Sequence, residues 1–171
     1  MNWLYQLLGW TTKKKQESAL PTLQSIGVSS WDILPPLDPH RFMMALPRLL
    51  PAESILCLEG CTICQEVQDF LQAKQIVPSV NVKKNTIWPR SQQFHIPATL
   101  ENIQAIDLFL SGHESSDICD HFKAYGPAGM VLEWHDSFGD SLFITKAIPE
   151  DVVKSFCNEI GSEYEDETVD D

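Results

Sequence analysis

The sequence has few basic residues, no long apolar run and no complete catalytic motif. Twelve lysines and arginines stand against 24 aspartates and glutamates in 171 residues, which gives a formal net charge of −12. A chain with this charge repels phosphate backbones, so we expect no nucleic-acid partner. No stretch approaches the run of about 18 apolar residues that a membrane helix needs, so we expect no transmembrane segment.

Cysteines are few and odd in number, at five, and no Asn-x-Ser/Thr acceptor sequence occurs. Secreted domains that depend on disulfides usually carry an even number of cysteines at regular spacing. We therefore expect a reducing, cytoplasmic location. The chain also lacks a nucleophile elbow, a glycine loop for phosphate and a zinc helix with two histidines. On this basis we predict no cofactor and assign no metal ligand.

Apolar residues are plentiful enough for a packed core, because they make up 43% of the chain and include eight phenylalanines and five tryptophans. Their pattern predicts one α+β domain over residues 38–162, a mixed sheet with a C-terminal antiparallel meander covered by helices. Residues 1–37 are predicted to form an amphipathic helix and a wrapping linker, and residues 163–171 an acidic disordered tail.

The meander is the best-defined part of the pattern. The runs 121–125, 130–136 and 142–147 are separated by two glycine-containing turns, as is typical of consecutive antiparallel strands. Pro149 then opens a helix that Gly161 ends. In the middle strand, alternation turns Leu132 and Trp134 towards the core and Glu133 and His135 outward.

Upstream of the meander, the pattern predicts alternating strands and helices. Asp38 caps a short helix that Pro47 limits, and Thr99 caps a longer one. The remaining predicted elements are strands at 54–58, 80–82 and 94–96 and helices at 62–75 and 114–120.

Near its N-terminus the chain carries a short apolar stripe formed by Trp3, Leu7 and Trp10. A helix of this length needs a surface to pack against, so we expect it to dock on the protein's own core, on a partner or on a membrane surface.

Negative charge is concentrated in residues 99–171, which hold seventeen acidic and only three basic residues. This exceeds what solubility needs and would speed association with a basic surface. We therefore predict a non-catalytic protein-binding module, of the inhibitor or immunity type, with a basic protein as partner. Its binding residues are predicted to be Trp134, Asp136, Phe138 and Asp140, next to an exposed Glu133.

A second hypothesis concerns Cys61 and Cys64, which are separated by two residues between a predicted strand and a predicted helix. The segment 55–75 resembles the dithiol unit of thioredoxin-like proteins, and the resemblance implies a thiol-disulfide oxidoreductase. That fold places a proline opposite the dithiol, for which Pro97 is the candidate. Because Glu59 opposes a thiolate, we predict that the two cysteines are not a working redox pair.

A third hypothesis is a hydrolase or metal-dependent enzyme at His121, His135 and Asp136. Together with Glu133, these residues offer imidazoles and carboxylates for acid/base work, or a metal site if His95 joins them. The alternation alone does not fix the strand register around them, so a plain polar face remains the competing interpretation.

Overall fold

Seven strands form one antiparallel sheet in the computed structural model, which describes residues 29–35, 37–83 and 91–167. The fold class is α+β, as the sequence predicts, but the described sheet is antiparallel throughout and not mixed. The strands are β1 (Ser30–Ile33), β2 (Ile55–Gly60), β3 (Gln92–Pro97), β4 (His121–Gly126), β5 (Gly129–Trp134), β6 (Leu142–Thr145) and β7 (Tyr164–Glu167). Their order across the sheet is β3-β2-β4-β5-β6-β1-β7, and each neighbouring pair in it is antiparallel.

Four α-helices cover one face of this sheet. They are α1 (Pro39–Leu49), α2 (Gln65–Lys74), α3 (Leu100–Gly112) and α4 (Glu150–Ile160). Apolar residues from all four helices share one core with the inward-facing residues of the strands. At its centre the Phe42 ring of α1 packs edge-on against Phe122, Trp134 and Phe156. Aromatic contacts of this geometry stabilise a core beyond the area that they bury.

The helix termini follow the signals in the sequence. The Asp38 side chain accepts hydrogen bonds from the first backbone N–H groups of α1, and the Thr99 hydroxyl does the same for α3. Gly161 ends α4 with a φ of 75°, a left-handed conformation that favours glycine. Helix α1 continues through Pro47 for two more residues, so it is longer than the one to two turns predicted.

The meander is confirmed, since β4, β5 and β6 are consecutive antiparallel neighbours. Three local predictions upstream of it differ. Residues 80–82 form no strand, and residues 114–120 contain only a short 3-10 turn, Ser115–Asp117. Strand β1 lies inside the predicted linker and is inserted between β6 and β7.

The acidic C-terminal segment also differs from its prediction, because β7 pairs with β1 over four residues. Tyr164 lies opposite Ile33 in this pairing and packs its ring edge-on against Trp31 at a centroid distance of 5.4 Å. That aromatic contact and the backbone pairing hold a segment that charge repulsion alone would leave in solvent. The predicted helix at residues 3–10 lies outside the described residues.

No helix within residues 29–35, 37–83 and 91–167 has the length and apolar character needed to cross a membrane.

Candidate functional site

The face of the sheet opposite the helices carries a buried cluster of ionisable residues. Strand alternation produces it, because every second residue of β2, β4 and β5 faces away from the apolar core. Lys123 of β4 is paired with Cys57 of β2 on one side and with Glu133 of β5 on the other. Glu59, near the end of β2, lies opposite His121 in the same pairing of β2 with β4. The cluster consists of Glu59, His121, Lys123, Glu133 and His135.

An ion-pair network forms the centre of the cluster. The Lys123 ammonium lies 2.8 Å from Glu59 Oε2 and 3.6 Å from Glu133 Oε1. The side chains of Lys123 and Glu59 have no exposed surface, and that of Glu133 is 1% exposed. Glu59 also accepts a hydrogen bond from the Ser91 hydroxyl at 2.6 Å. Charges buried this deeply persist only when they are paired and hydrogen-bonded.

Two histidines complete the cluster where β4 begins and β5 ends. The rings of His121 and His135 are 4.6 Å apart, and His135 Nε2 lies 3.8 Å from Glu133 Oε2. One ligand atom from each of His121, Glu133 and His135 falls within 4.8 Å of the others. Among the described residues, His121 Nδ1 and His135 Nε2 are buried and meet no hydrogen-bond partner.

The environment keeps both imidazoles neutral. Burial lowers the pKa of His121 to about 4, and repulsion by a protonated His135 and by the Lys123 ammonium acts in the same direction. Burial also lowers the pKa of His135, although the carboxylates of Glu133, Asp136 and Asp140 oppose the shift. A neutral imidazole is the form that ligates a metal ion.

The turn after β5 brings His135 into place with a strained backbone. Asp136 has a φ of 47° and Phe138 a φ of 65°, in the left-handed region that residues other than glycine rarely adopt. Phe138 is held there by ring contacts with Trp134 and Phe122. Positive φ values outside glycine are costly and concentrate next to functional sites.

The structure brings together only some of the residues that were predicted to form a hydrolase or metal site. His121 and His135 meet as that hypothesis requires, and Glu133 joins them. Asp136 is exposed and contributes to the site through its charge near His135. His95 lies on β3, which β2 separates from β4, and it is outside the three-residue group.

Other predicted site residues lie in different surroundings. Glu133 faces away from the core as predicted, but it is buried and not exposed, because the second face of the sheet is also covered. Trp134 and Phe138 belong to the apolar core, so neither side chain is an exposed anchor for a partner. Asp136 and Asp140 are exposed.

The dithiol segment does not have the surroundings that the thioredoxin-like resemblance implies. Cys61 is exposed, and Cys64 is the residue at which α2 begins. Pro97 pairs with Ile55 at the far end of β2, whereas Cys61 follows the near end at Gly60. Pro97 therefore does not face the two cysteines, and both neighbours of β2 are antiparallel to it.

Sequence reasoning missed Glu59 and Lys123 as site residues. The available signal was a single formal charge, of opposite sign, within each of two mostly apolar segments, residues 55–60 and 121–126. Comparisons with protein-family models, with curated proteins and with solved structures give no match for this chain.

Proposed function

We propose that the protein binds a divalent transition metal ion, zinc first among them, through His121, Glu133 and His135. The observation that carries the proposal is the convergence of their ligand atoms within 4.8 Å on a buried sheet face. Imidazole nitrogen and carboxylate oxygen are donors that zinc accepts in tetrahedral sites.

The two histidines support the proposal through their polar atoms. A buried nitrogen without a hydrogen-bond partner costs about 1–3 kcal/mol, so such atoms are uncommon in folded proteins. Here two of them, His121 Nδ1 and His135 Nε2, belong to neighbouring rings, and His135 Nε2 lies 3.8 Å from the Glu133 carboxylate. A metal ion would take up both lone pairs at once.

The orientation of the Glu133 carboxylate supports it as well. The Lys123 ammonium faces Glu133 Oε1, while Glu133 Oε2 faces His135. One oxygen of the Glu133 carboxylate thus points to Lys123 and the other to the proposed metal position. Lys123 would therefore keep the Glu133 carboxylate in the orientation that a metal ligand needs.

Three protein ligands leave one position of a tetrahedral site for water or substrate. A zinc ion in such a site acts as a Lewis acid and lowers the pKa of the bound water, which is the chemistry of hydrolytic enzymes. By this chemistry the protein would act as a metal-dependent hydrolase, with Glu133 as a ligand in place of the Asp136 expected from the sequence.

The test is a zinc titration of the chelator-treated protein, with metal content measured by mass spectrometry after gel filtration. We expect one zinc per chain and a stabilisation of about 2.7 kcal/mol at a zinc concentration one hundred times the Kd. His135→Gln should abolish both effects. The control His40→Gln changes a histidine whose side chain is 49% exposed on α1 and should leave both intact.

A double variant, Cys61→Ser with Cys64→Ser, separates this site from the thiols. Zinc binding that survives in the double variant supports the proposed ligands. Stoichiometric zinc binding that survives His135→Gln, or no binding above that of His135→Gln, overturns the proposal. Circular dichroism of each variant in chelator verifies that the protein is folded.

A further inference from the structure

A second group of reactive side chains lies away from the cluster, where α2 begins and α3 ends. Cys64 is the N-cap residue of α2, and His113 is the C-cap residue of α3. The Cys64 Sγ lies 3.8 Å from His113 Nδ1, a hydrogen-bond distance for sulfur. On the other side of the ring, His113 Nε2 lies 3.4 Å from Glu66 Oε2.

The fold holds Cys64 and His113 in place. The Cys64 backbone N–H donates to the Asp117 carbonyl at 2.8 Å, and the His113 N–H donates to the Phe109 carbonyl at 2.9 Å. The His113 ring also lies 6.0 Å from the ring of Phe109, which packs against Phe70 of α2. Helices α2 and α3 are thereby joined next to the thiol.

We propose that Cys64 is a catalytic nucleophile, that His113 is its general base and that the substrate is an activated acyl compound, an ester or a thioester. A nucleophile, a base within hydrogen-bond reach and a third group that orients the base are the usual components of such a site. Glu66 beside Nε2 favours the tautomer with its proton there, which leaves Nδ1 as the acceptor for the thiol proton.

The first turn of α2 offers donors for the oxyanion. The N–H groups at the start of a helix have no partner within the helix, and α2 has no capping side chain to occupy them. A carbonyl carbon attacked by Cys64 Sγ would place its oxygen at this end of the helix, where developing negative charge is stabilised.

Cys64 and His113 can carry out every bond change and proton transfer that the acyl transfer requires. Sγ forms a bond to the carbonyl carbon while the thiol proton passes to His113 Nδ1. The bond from that carbon to the leaving oxygen or sulfur then breaks, and His113 returns the proton to the leaving group. Water attacks the thioester in the second half-reaction, again with His113 as base, and restores the thiol.

Cys61 provides a control within the same chain. It is exposed, whereas Cys64 is only partly so. Desolvation and the negative charge of Asp120, which accepts a hydrogen bond from the Cys61 backbone N–H, raise the pKa of the Cys61 thiol. Accessibility alone predicts that Cys61 reacts first, whereas the raised pKa of Cys61 and activation by His113 both favour Cys64. The effect of His113→Gln on the Cys64 rate separates these two causes.

The experiment measures iodoacetamide alkylation of each cysteine in the full-length protein by peptide mass spectrometry, in the presence of chelator. We expect Cys64 to react about tenfold faster than Cys61 or more, because a positioned base contributes about 10²–10⁴-fold and the lower exposure of Cys64 offsets part of this gain. His113→Gln should remove this advantage and leave the Cys61 rate unchanged. Faster reaction at Cys61, or an unchanged Cys64 rate in His113→Gln, overturns the proposal.

Acylation is tested with p-nitrophenyl acetate. We expect a burst of one nitrophenolate per chain and an acetyl group on Cys64, both absent in Cys64→Ser and retained in Cys61→Ser. Acetylation elsewhere on the chain would contradict the assignment. Glu66 is a positioning residue, so Glu66→Gln, which keeps an oxygen acceptor, should retain more of the Cys64 rate than Glu66→Ala. The chelator keeps these results independent of the metal proposal.

Discussion

The two faces of the sheet are equally buried but chemically opposite. Towards the helices, β2, β4 and β5 present Leu58, Phe122 and Trp134, none more than 1% exposed. Away from the helices, the same strands present Glu59, Lys123 and Glu133, none more than 1% exposed. The first face is stabilised by burying apolar area, which needs no specific partner. The second is stable only while each charge keeps its partners, and it is the face on which we locate the metal site.

The largest expected effect comes from removing the charge at the centre of the polar face. Lys123→Met leaves the carboxylates of Glu59 and Glu133 buried without their shared cation, and we expect it to lower the free energy of unfolding by about 3–5 kcal/mol. Urea denaturation measures this. The matched control Lys74→Met, whose lysine pairs with the exposed Glu101, should cost about 1 kcal/mol or less. Equal losses in both variants would remove the distinction between buried and surface pairs.

On the apolar face we expect a comparable loss with a different signature. Leu132→Ala leaves a cavity in the core and should cost about 2–5 kcal/mol. Because Leu132 faces the helices, its loss should be the same in zinc and in chelator. In contrast, His135→Gln should remove the zinc-dependent part of the stability. A Leu132→Ala variant that no longer binds zinc would show that the two faces are not independent.

Acidification is expected to affect only the polar face. The pKa of His121 in the folded state is about 4, below its ordinary value of 6.5, so the unfolded chain takes up the proton first. Stability should therefore be complete above about pH 6.5 and fall towards pH 4, by up to about 3 kcal/mol from this group. Urea titrations in chelator across this range measure the fall, which His121→Asn should reduce. Stability that stays constant from pH 6.5 to pH 4 would contradict the burial of a neutral His121.

The smallest expected effect is at the exposed carboxylates of Asp136 and Asp140. The double change to asparagine should alter stability by about 0.5 kcal/mol or less and leave zinc binding intact. These residues belong to the predicted acidic recognition surface for a basic protein, which stays a prediction. A pull-down at low and moderate salt would support that surface if a specific basic partner were lost in the double variant. Recovery of the same partner by the double variant would count against it.

The sequence predicts which face of a strand each site residue occupies, but it does not predict the burial of these residues or the strand register. Alternation assigns Leu132 and Trp134 to one face of β5 and Glu133 and His135 to the other, and the structure agrees. Alternation does not reveal what covers the second face, so the burial of Glu133 could not be predicted from it. The register that brings His121 to His135 also depends on a bulge between Ala124 and Tyr125, which no residue pattern marks.

Two further features were not predicted from the sequence: the short strand β7 and the contact between Cys64 and His113. Strand β7 contains one apolar residue, Tyr164, and its stability comes from pairing with β1 rather than from its own pattern. Cys64 and His113 are 49 positions apart, and only the meeting of two helix ends brings them together. Contacts of this kind depend on tertiary packing, which local periodicity does not encode.

The most direct test of the metal proposal is anomalous diffraction at the zinc absorption edge from crystals of the zinc-loaded protein. We predict one peak at about 2.0–2.2 Å from His121 Nδ1, a Glu133 carboxylate oxygen and His135 Nε2. Lys123 should remain beside the other oxygen of Glu133. A peak at Cys64 and His113 instead, or no peak at the polar face in zinc-loaded crystals, would contradict the proposal that this face holds the metal.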